Sequence, residues 1–523
     1  MRCTYSPDTR LDLLDRRQIL AGAAAVAGSA LLPAMARAQS APSRGGLLRI
    51  AVSNGSSADS LDPAGFASAQ QICLGFALRN NLTEIAADGS LAPELAESWE
   101  SADARIWRFR LRSGVTFHNG KSLAPEDVVA SLNHHRGEDA KSGAATLLSG
   151  VAEIRADGPD GVVVELAAPN ADFPIYLSDY HLGICPLDTS GALDLSGVGT
   201  GGYVLESFSP GQRSTLTRNP DYWKQGAAWF DAGEVVLISD PTARTAALIS
   251  GQVDAVGNLE LKTVDRLAAT GRVLIDSVPS ATHVIMAMNA GIEPFGDRNV
   301  RLALKHGIDR DALIRIVAGG HASVANDQPV APSMPYFNPE LPQRAYDPER
   351  SRFHLREAGL DSLEVALSTA DGIWPGAVDA AQLYAEQAAA GGISVRVARE
   401  PADGYWSNVW LQKPFVTSLW AARPTPDMIF SQAYETGAVW NETGFSNARF
   451  DSLLREARGE LDPAKRGEMY GEMQRLVHEE SGAVIPFFKN YVFGRAPGVA
   501  HGEQVGSDWQ LDGFKAFERW WMA

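Results

Sequence analysis

The stretch Gly197-Val198-Gly199-Thr200-Gly201-Gly202-Tyr203-Val204-Leu205-Glu206-Ser207-Phe208 decides between two folds. Its glycines match GxGxxG, the spacing with which a strand-to-helix turn cradles a pyrophosphate on a helix N-terminus. That chemistry needs a helix after the last glycine. Here Tyr203 to Phe208 reads as a strand and Arg213 to Arg218 as another, so the glycines mark a tight turn between sheet segments. Upstream, Trp107-Arg108-Phe109-Arg110-Leu111-Arg112 alternates strictly, as a half-buried strand does. Asn119-Gly120 is turn chemistry, and Pro125 opens a helix with Val128, Val129 and Leu132 on one face. Leu47 to Val52 and Val162 to Leu166 read as strands. Downstream, a helix from about Thr242 to Ser250 stops at Gly251, a C-cap residue. Phe450, Leu453, Leu454 and Ala457 recur at i, i+3, i+4, i+7, and Met469, Met473, Leu476 and Val477 form a second helical stripe. Strands and helices mix throughout, which predicts an α/β or α+β class.

Several function classes fall away on composition and spacing. The 523 residues include 63 acidic and 46 basic side chains, a formal charge of -17, which is the wrong sign for neutralising nucleic-acid phosphates. Gly120-Lys121-Ser122 resembles the end of a phosphate loop, but Val115 stands where the loop glycine belongs. His134-His135 and His478-Glu479-Glu480 lack zinc spacing and read as solvated helix faces, so no metal and no cofactor is expected. No serine sits in GxSxG, so no catalytic residue is assigned.

The N-terminus reads as an address. Arg16-Arg17 precedes an apolar stretch from Ile19 to Leu32, Pro33 breaks it, and Ala36-Arg37-Ala38 has the form of a signal-peptidase site. Residues 1–38 are expected to be a twin-arginine signal peptide, with a soluble periplasmic product. Export removes Cys3 and leaves Cys73 and Cys185, for which one disulfide or two buried thiols are both open.

Eight collinear segments carry a family resemblance. Among them are Leu91-Ala92-Pro93-Glu94-Leu95-Ala96-Glu97-Ser98-Trp99, the run from Trp107 to Gly120, and Pro125-Glu126-Asp127-Val128-Val129. Further along come Gly199 to Tyr203, Arg218-Asn219-Pro220-Asp221-Tyr222-Trp223, Ser250 to Asp254, Asn299 to Leu304, and Phe445-Ser446-Asn447 leading to Phe450. Together they resemble the peptide/opine/nickel group of solute-binding proteins that serve ABC importers, bacterial extracellular solute-binding family 5. The resemblance implies an α/β, two-lobed periplasmic-binding-protein fold (type II, the large three-domain variant) with a hinge. It implies lobe I from residues 45–80, 197–273 and 487–523, an extra domain at 81–196, and lobe II at 274–486. It also implies a monomeric, non-enzymatic receptor that captures a small solute and delivers it to a permease in the inner membrane, with no nucleic-acid partner.

In peptide-binding members an aspartate shortly after a tryptophan pairs with the peptide amine. The matching stretch, Leu419-Trp420-Ala421-Ala422-Arg423-Pro424-Thr425-Pro426-Asp427-Met428-Ile429-Phe430, puts Arg423 at that position and Asp427 four places later. Arginine in a cleft favours carboxylate, sulfonate or phosphate. The expected ligand is therefore anionic, opine-like or a polycarboxylate or chelate, with Arg423 as anchor and Trp420 beside it. Trp374, Tyr405, Trp406 and Trp440 are further candidates for the cleft wall, with Tyr180-His181 behind them. The alternative is a conventional di- or oligopeptide receptor that uses Asp427, and an exported hydrolase is the remote one.

Overall fold

The computed structural model describes residues 42–137 and 140–523, so the expected signal peptide lies outside the described residues. A mixed twelve-stranded sheet runs through the molecule. Ten strands follow one path, Ile393–Arg399, Leu363–Thr369, Phe415–Trp420, Leu274–Met288, Phe487–Arg495, Ala255–Val256, Leu47–Val52, Ala232–Leu237, Arg213–Arg218 and Tyr203–Ser209, and two pair off it, Ala322–Val324 with Phe487–Arg495 and Ala483–Val484 with Leu274–Met288. The central pair, Leu274–Met288 with Phe487–Arg495, is antiparallel, and its register shifts between Pro279 and His283.

That shift falls where the two strands pass from one hydrophobic core to another. On one side Val278 and Phe493 join Leu48, Ile50, Tyr203 and Trp520. On the other, Val284 to Met288 and Phe487–Phe488 join the core of Phe415, Phe430, Phe450 and Tyr470. At the crossing the Ser280 hydroxyl donates to the Lys489 carbonyl at 2.7 Å. The two cores therefore share one pair of strands, the geometry of a hinge.

A third core has its own four-stranded antiparallel sheet, Ala96–Glu100, Ile106–Leu111, Gly161–Leu166 and Val151–Asp157. The alternation from Ile106 to Leu111 is realised in full: Trp107, Phe109 and Leu111 are buried, and Ile106, Arg108 and Arg110 are exposed. The helix Pro125–Asn133 covers the sheet with Val128 and Leu132. Its first turn is locked by Asp127, which accepts from the Ala124 amide at 3.0 Å and the Leu187 amide at 2.8 Å.

The glycine run behaves as its strand reading requires. Tyr203–Ser209 follows as a strand, and the loop before it presses on the end of the helix Ala69–Leu78. A side chain on Gly199 would sit 2.1 Å from the Leu78 carbonyl oxygen, and one on Gly201 2.4 Å from that of Ala77, so only hydrogen fits at either position. Cys73 and Cys185 are separate buried thiols, and burial pushes Cys73 up to about 12. The histidine expectation is corrected. His135 and His478 are buried, the latter because its ring accepts from Arg344 at 2.7 Å and donates to the Asn326 carbonyl at 2.7 Å.

Candidate ligand-binding cleft

The strand Phe415–Trp420 is buried along its length and ends at the surface of a cavity. The turn after it is tightly specified. Pro424 and Pro426 bracket Thr425, whose hydroxyl caps the helix Pro426–Ala433 by accepting from the Met428 amide at 3.3 Å. Arg423 stands in this turn. Its Nε donates to Gln432 at 2.8 Å, and its Nη1 to the carbonyls of Ala421 and Ala422, both at 3.2 Å. Among the described residues no carboxylate pairs with it and Nη2 has no partner, so the guanidinium is aimed but unneutralised. Burial alone lowers its pKa.

Arg423 borders a cavity of about 450 Å³. Its lining includes Ala422 to Pro424, Met428, Gln432 and Trp440, together with Tyr176, Ser178 to His181, and Ser507 to Trp509. Tyr180 lies over His181 with ring centroids 4.1 Å apart and meets Trp509 edge-on at 5.8 Å. His181 is tied at both nitrogens, to Asp179 at 2.6 Å and to the Phe66 carbonyl at 2.9 Å. Asp508 lines the same space without an ion-pair partner among the described residues, and burial pushes its carboxyl up.

A second cavity of about 230 Å³ adjoins the first, with Arg423 and Trp440 common to both. Trp406, Trp410 and Trp420 complete its aromatic lining. Successive rings meet at 5.6 Å (Trp406–Trp410), 6.3 Å (Trp410–Trp440) and 6.0 Å (Trp440–Trp420). Beneath them Glu442 accepts from Trp420 Nε1 at 2.6 Å, Trp410 Nε1 at 2.6 Å and Ser418 Oγ at 2.7 Å.

The structure thus brings Arg423, Trp420, Trp440 and Trp406 to one place. It does not bring Tyr405 or Trp374 there. Tyr405 points inward, its hydroxyl shared between the carbonyls of Ser368 at 3.1 Å and Thr417 at 2.9 Å. Trp374 is buried edge-on against Phe487 at 6.0 Å. Both are core residues that line neither cavity. Asp427, the acid of the peptide alternative, is buried against Arg458 Nε at 2.7 Å, and burial, against that pull, pushes its carboxyl up to about 6.

The model of bacterial extracellular solute-binding proteins, family 5 Middle, matches residues 90–442. The chain belongs to this family. It is 27% identical over 472 residues to the Di/tripeptide-binding protein 2 of Pseudomonas aeruginosa, covering 82% of this chain and 88% of that one. It is 26% identical over 432 residues to the Heme-binding protein A of Haemophilus influenzae, covering 75% and 78%. Among solved structures, HbpA2 from Haemophilus parasuis superposes with a TM-score of 0.81 at 20% identity, covering 91% of this chain and all of that one. The binding protein AgaA of A. tumefacien R10, in complex with agropinic acid, gives 0.69 at 22%, covering 91% and 99%. These likenesses establish the two-lobed fold. Relatives that share it carry different solutes, so the cargo has to be read from this chain's own cleft.

Sequence reasoning missed Glu442, Trp410, Asp508 and Trp509. Trp410 stands four residues after Trp406, the one local hint. Glu442 closes a plain Trp-Asn-Glu string with no spacing that marks it.

Proposed function

We propose that this chain is the exported receptor of an ABC importer and that it closes its lobes on a small carboxylate-bearing solute gripped by Arg423. The observation that carries the proposal is the guanidinium itself, which is oriented by three hydrogen bonds yet lacks an anionic partner among the described residues. An arginine with Nε and Nη1 fastened to protein acceptors and Nη2 free is oriented to donate to an oxyanion. Water excluded on closure strengthens that pairing. The binding event uses no covalent step: the hinge strands bend, the walls meet, and the closed form is what a permease would recognise.

A di- or tripeptide is the second reading, favoured by an acid, Asp508, in the lining of the same cavity as Arg423. In that case Asp508 rather than Asp427 receives the free amine, since Asp427 is sealed by Arg458, and Arg423 takes the peptide carboxylate.

A thermal-shift screen of mono- and dicarboxylates, opines and dipeptides identifies the class, and calorimetry on Arg423→Ala tests the anchor. Loss of a charge-assisted pair should weaken the best carboxylate about 10- to 100-fold. An unchanged affinity would remove Arg423 from the site.

A further inference from the structure

The tryptophan pocket beside Arg423 has a chemistry of its own. Glu442 is 4% exposed, and burial pushes its carboxyl up, but it accepts three hydrogen bonds while donating none, a pattern that favours the ionised carboxylate. All three donors are neutral, and among the described residues no lysine, arginine or histidine pairs with it. A buried charge without a counter-ion is costly, and its field reaches into the adjoining low-dielectric cavity.

The same bonds fix what the cavity wall can offer. The indole N–H groups of Trp410 and Trp420 are spent on Glu442 and point away from the cavity. Those rings therefore give it aromatic carbon and no donor. The donors that remain in the lining are Arg423, at the junction with the first cavity, and the indole N–H groups of the half-exposed Trp406 and Trp440. A primary ammonium carries three N–H donors to satisfy at once, whereas the lining is mostly indole carbon. A cation whose charge is spread over methyl groups finds indole surfaces and a negative charge beneath them. The guanidinium of Arg423, 5.9 Å from the centre of the Trp420 ring, already uses one indole in this way. At about 230 Å³ the cavity suits one group of a ligand rather than a whole one.

We infer that this pocket is a subsite for an N-methylated, quaternary ammonium group. Resting on the reading of Arg423 as carboxylate anchor, the solute is then a betaine-type zwitterion whose carboxylate meets Arg423 at the junction of the two cavities.

Three probes test this on the full chain by calorimetry and tryptophan fluorescence: tetramethylammonium, 4-(trimethylammonio)butanoate, and its uncharged-end isostere 5,5-dimethylhexanoate. The trimethylammonium acid should bind about tenfold or more tighter than the isostere, and tetramethylammonium alone should quench the indoles. Glu442→Gln should bring the two acids within about threefold of each other. Trp406→Ala, at a residue 47% exposed and therefore tolerant of truncation, should weaken tetramethylammonium without disturbing the fold. Arg423→Ala should weaken both acids and, because it lifts a like charge from the Trp420 face, should tighten rather than weaken tetramethylammonium. If Arg423→Ala changes nothing while the cation preference persists, the anchor reading fails and the subsite stands. The subsite is overturned if the isostere binds as tightly as the charged acid, if neither cation binds at millimolar concentration, or if Asp508→Asn abolishes the preference and Glu442→Gln does not.

Discussion

Two places in this molecule hold charged groups away from bulk water, and they differ in how those groups are paired. At the junction of the third core with the C-terminal segment, Lys224 reaches Glu84 at 2.8 Å, Glu518 at 2.9 Å and Glu94 at 3.4 Å, while Lys515 bridges Glu84 at 2.6 Å and Glu94 at 3.5 Å. Arg519 adds contacts to Glu84 and Asp512. Burial alone would push the Glu84 carboxyl up, but Lys515 and Lys224 hold it well below the usual carboxylate range. At the cleft, Arg423 and Glu442 border or underlie the same cavity without an ionic partner among the described residues. A matched network has nothing left to offer a ligand and holds segments together. An unmatched cation and an unmatched anion beside open space are poised for something that arrives from outside.

The largest effect should come from breaking the matched cluster. Lys224→Met leaves the buried Glu518 without an ion-pair partner among the described residues and should cost about 3–5 kcal/mol in denaturant unfolding, with ligand affinity unchanged. A loss below about 1 kcal/mol would erase the distinction between the clusters. Arg423→Ala should do the reverse, lowering affinity as above while moving stability by less than about 1 kcal/mol, since no buried charge is orphaned.

Asp427 sharpens the comparison through pH. Its folded carboxyl titrates near 6 rather than near its ordinary 3.8. Between those values the folded chain keeps a proton that the unfolded chain has released, so stability falls as pH rises through that window. Asp427→Asn should remove about 2 kcal/mol of that decline, read as the difference in unfolding free energy between pH 4 and pH 7. A wild-type profile parallel to the variant's would contradict the burial-dominated assignment. The smallest effect is expected at Tyr405→Phe, which deletes one core hydrogen bond. It should cost about 1 kcal/mol and leave every ligand affinity intact. A lowered affinity would return Tyr405 to the cleft.

Local chemistry made much of the fold legible. The alternation at 106–111, Pro125 at a helix start, and the glycine run followed by Tyr203 each specify a conformation over a few residues, and each appears as read. Arg423 was legible because an expected acid was replaced by a base. The remainder depended on long-range assembly. Tyr405 and Trp406 are neighbours in one short helix, Tyr405–Asn408, yet the first is 2% exposed and the second 47%. Only packing decides which of them turns inward. Glu442 gains its meaning from Trp410, Ser418 and Trp420, which the turn after the helix Tyr405–Asn408 and a strand bring to it from 22 to 32 positions away. The buried histidines were misread for the same reason, because His478 is enclosed by Arg344, 134 positions distant.

The most direct test of the central claim is native mass spectrometry of wild type, Arg423→Ala and Asp427→Asn, each purified without unfolding from the cells that make it. The account predicts that wild type and Asp427→Asn carry the same carboxylate-bearing solute and that Arg423→Ala arrives empty. If Arg423→Ala keeps the solute and Asp427→Asn loses it, the guanidinium does not hold the cargo and the acid does.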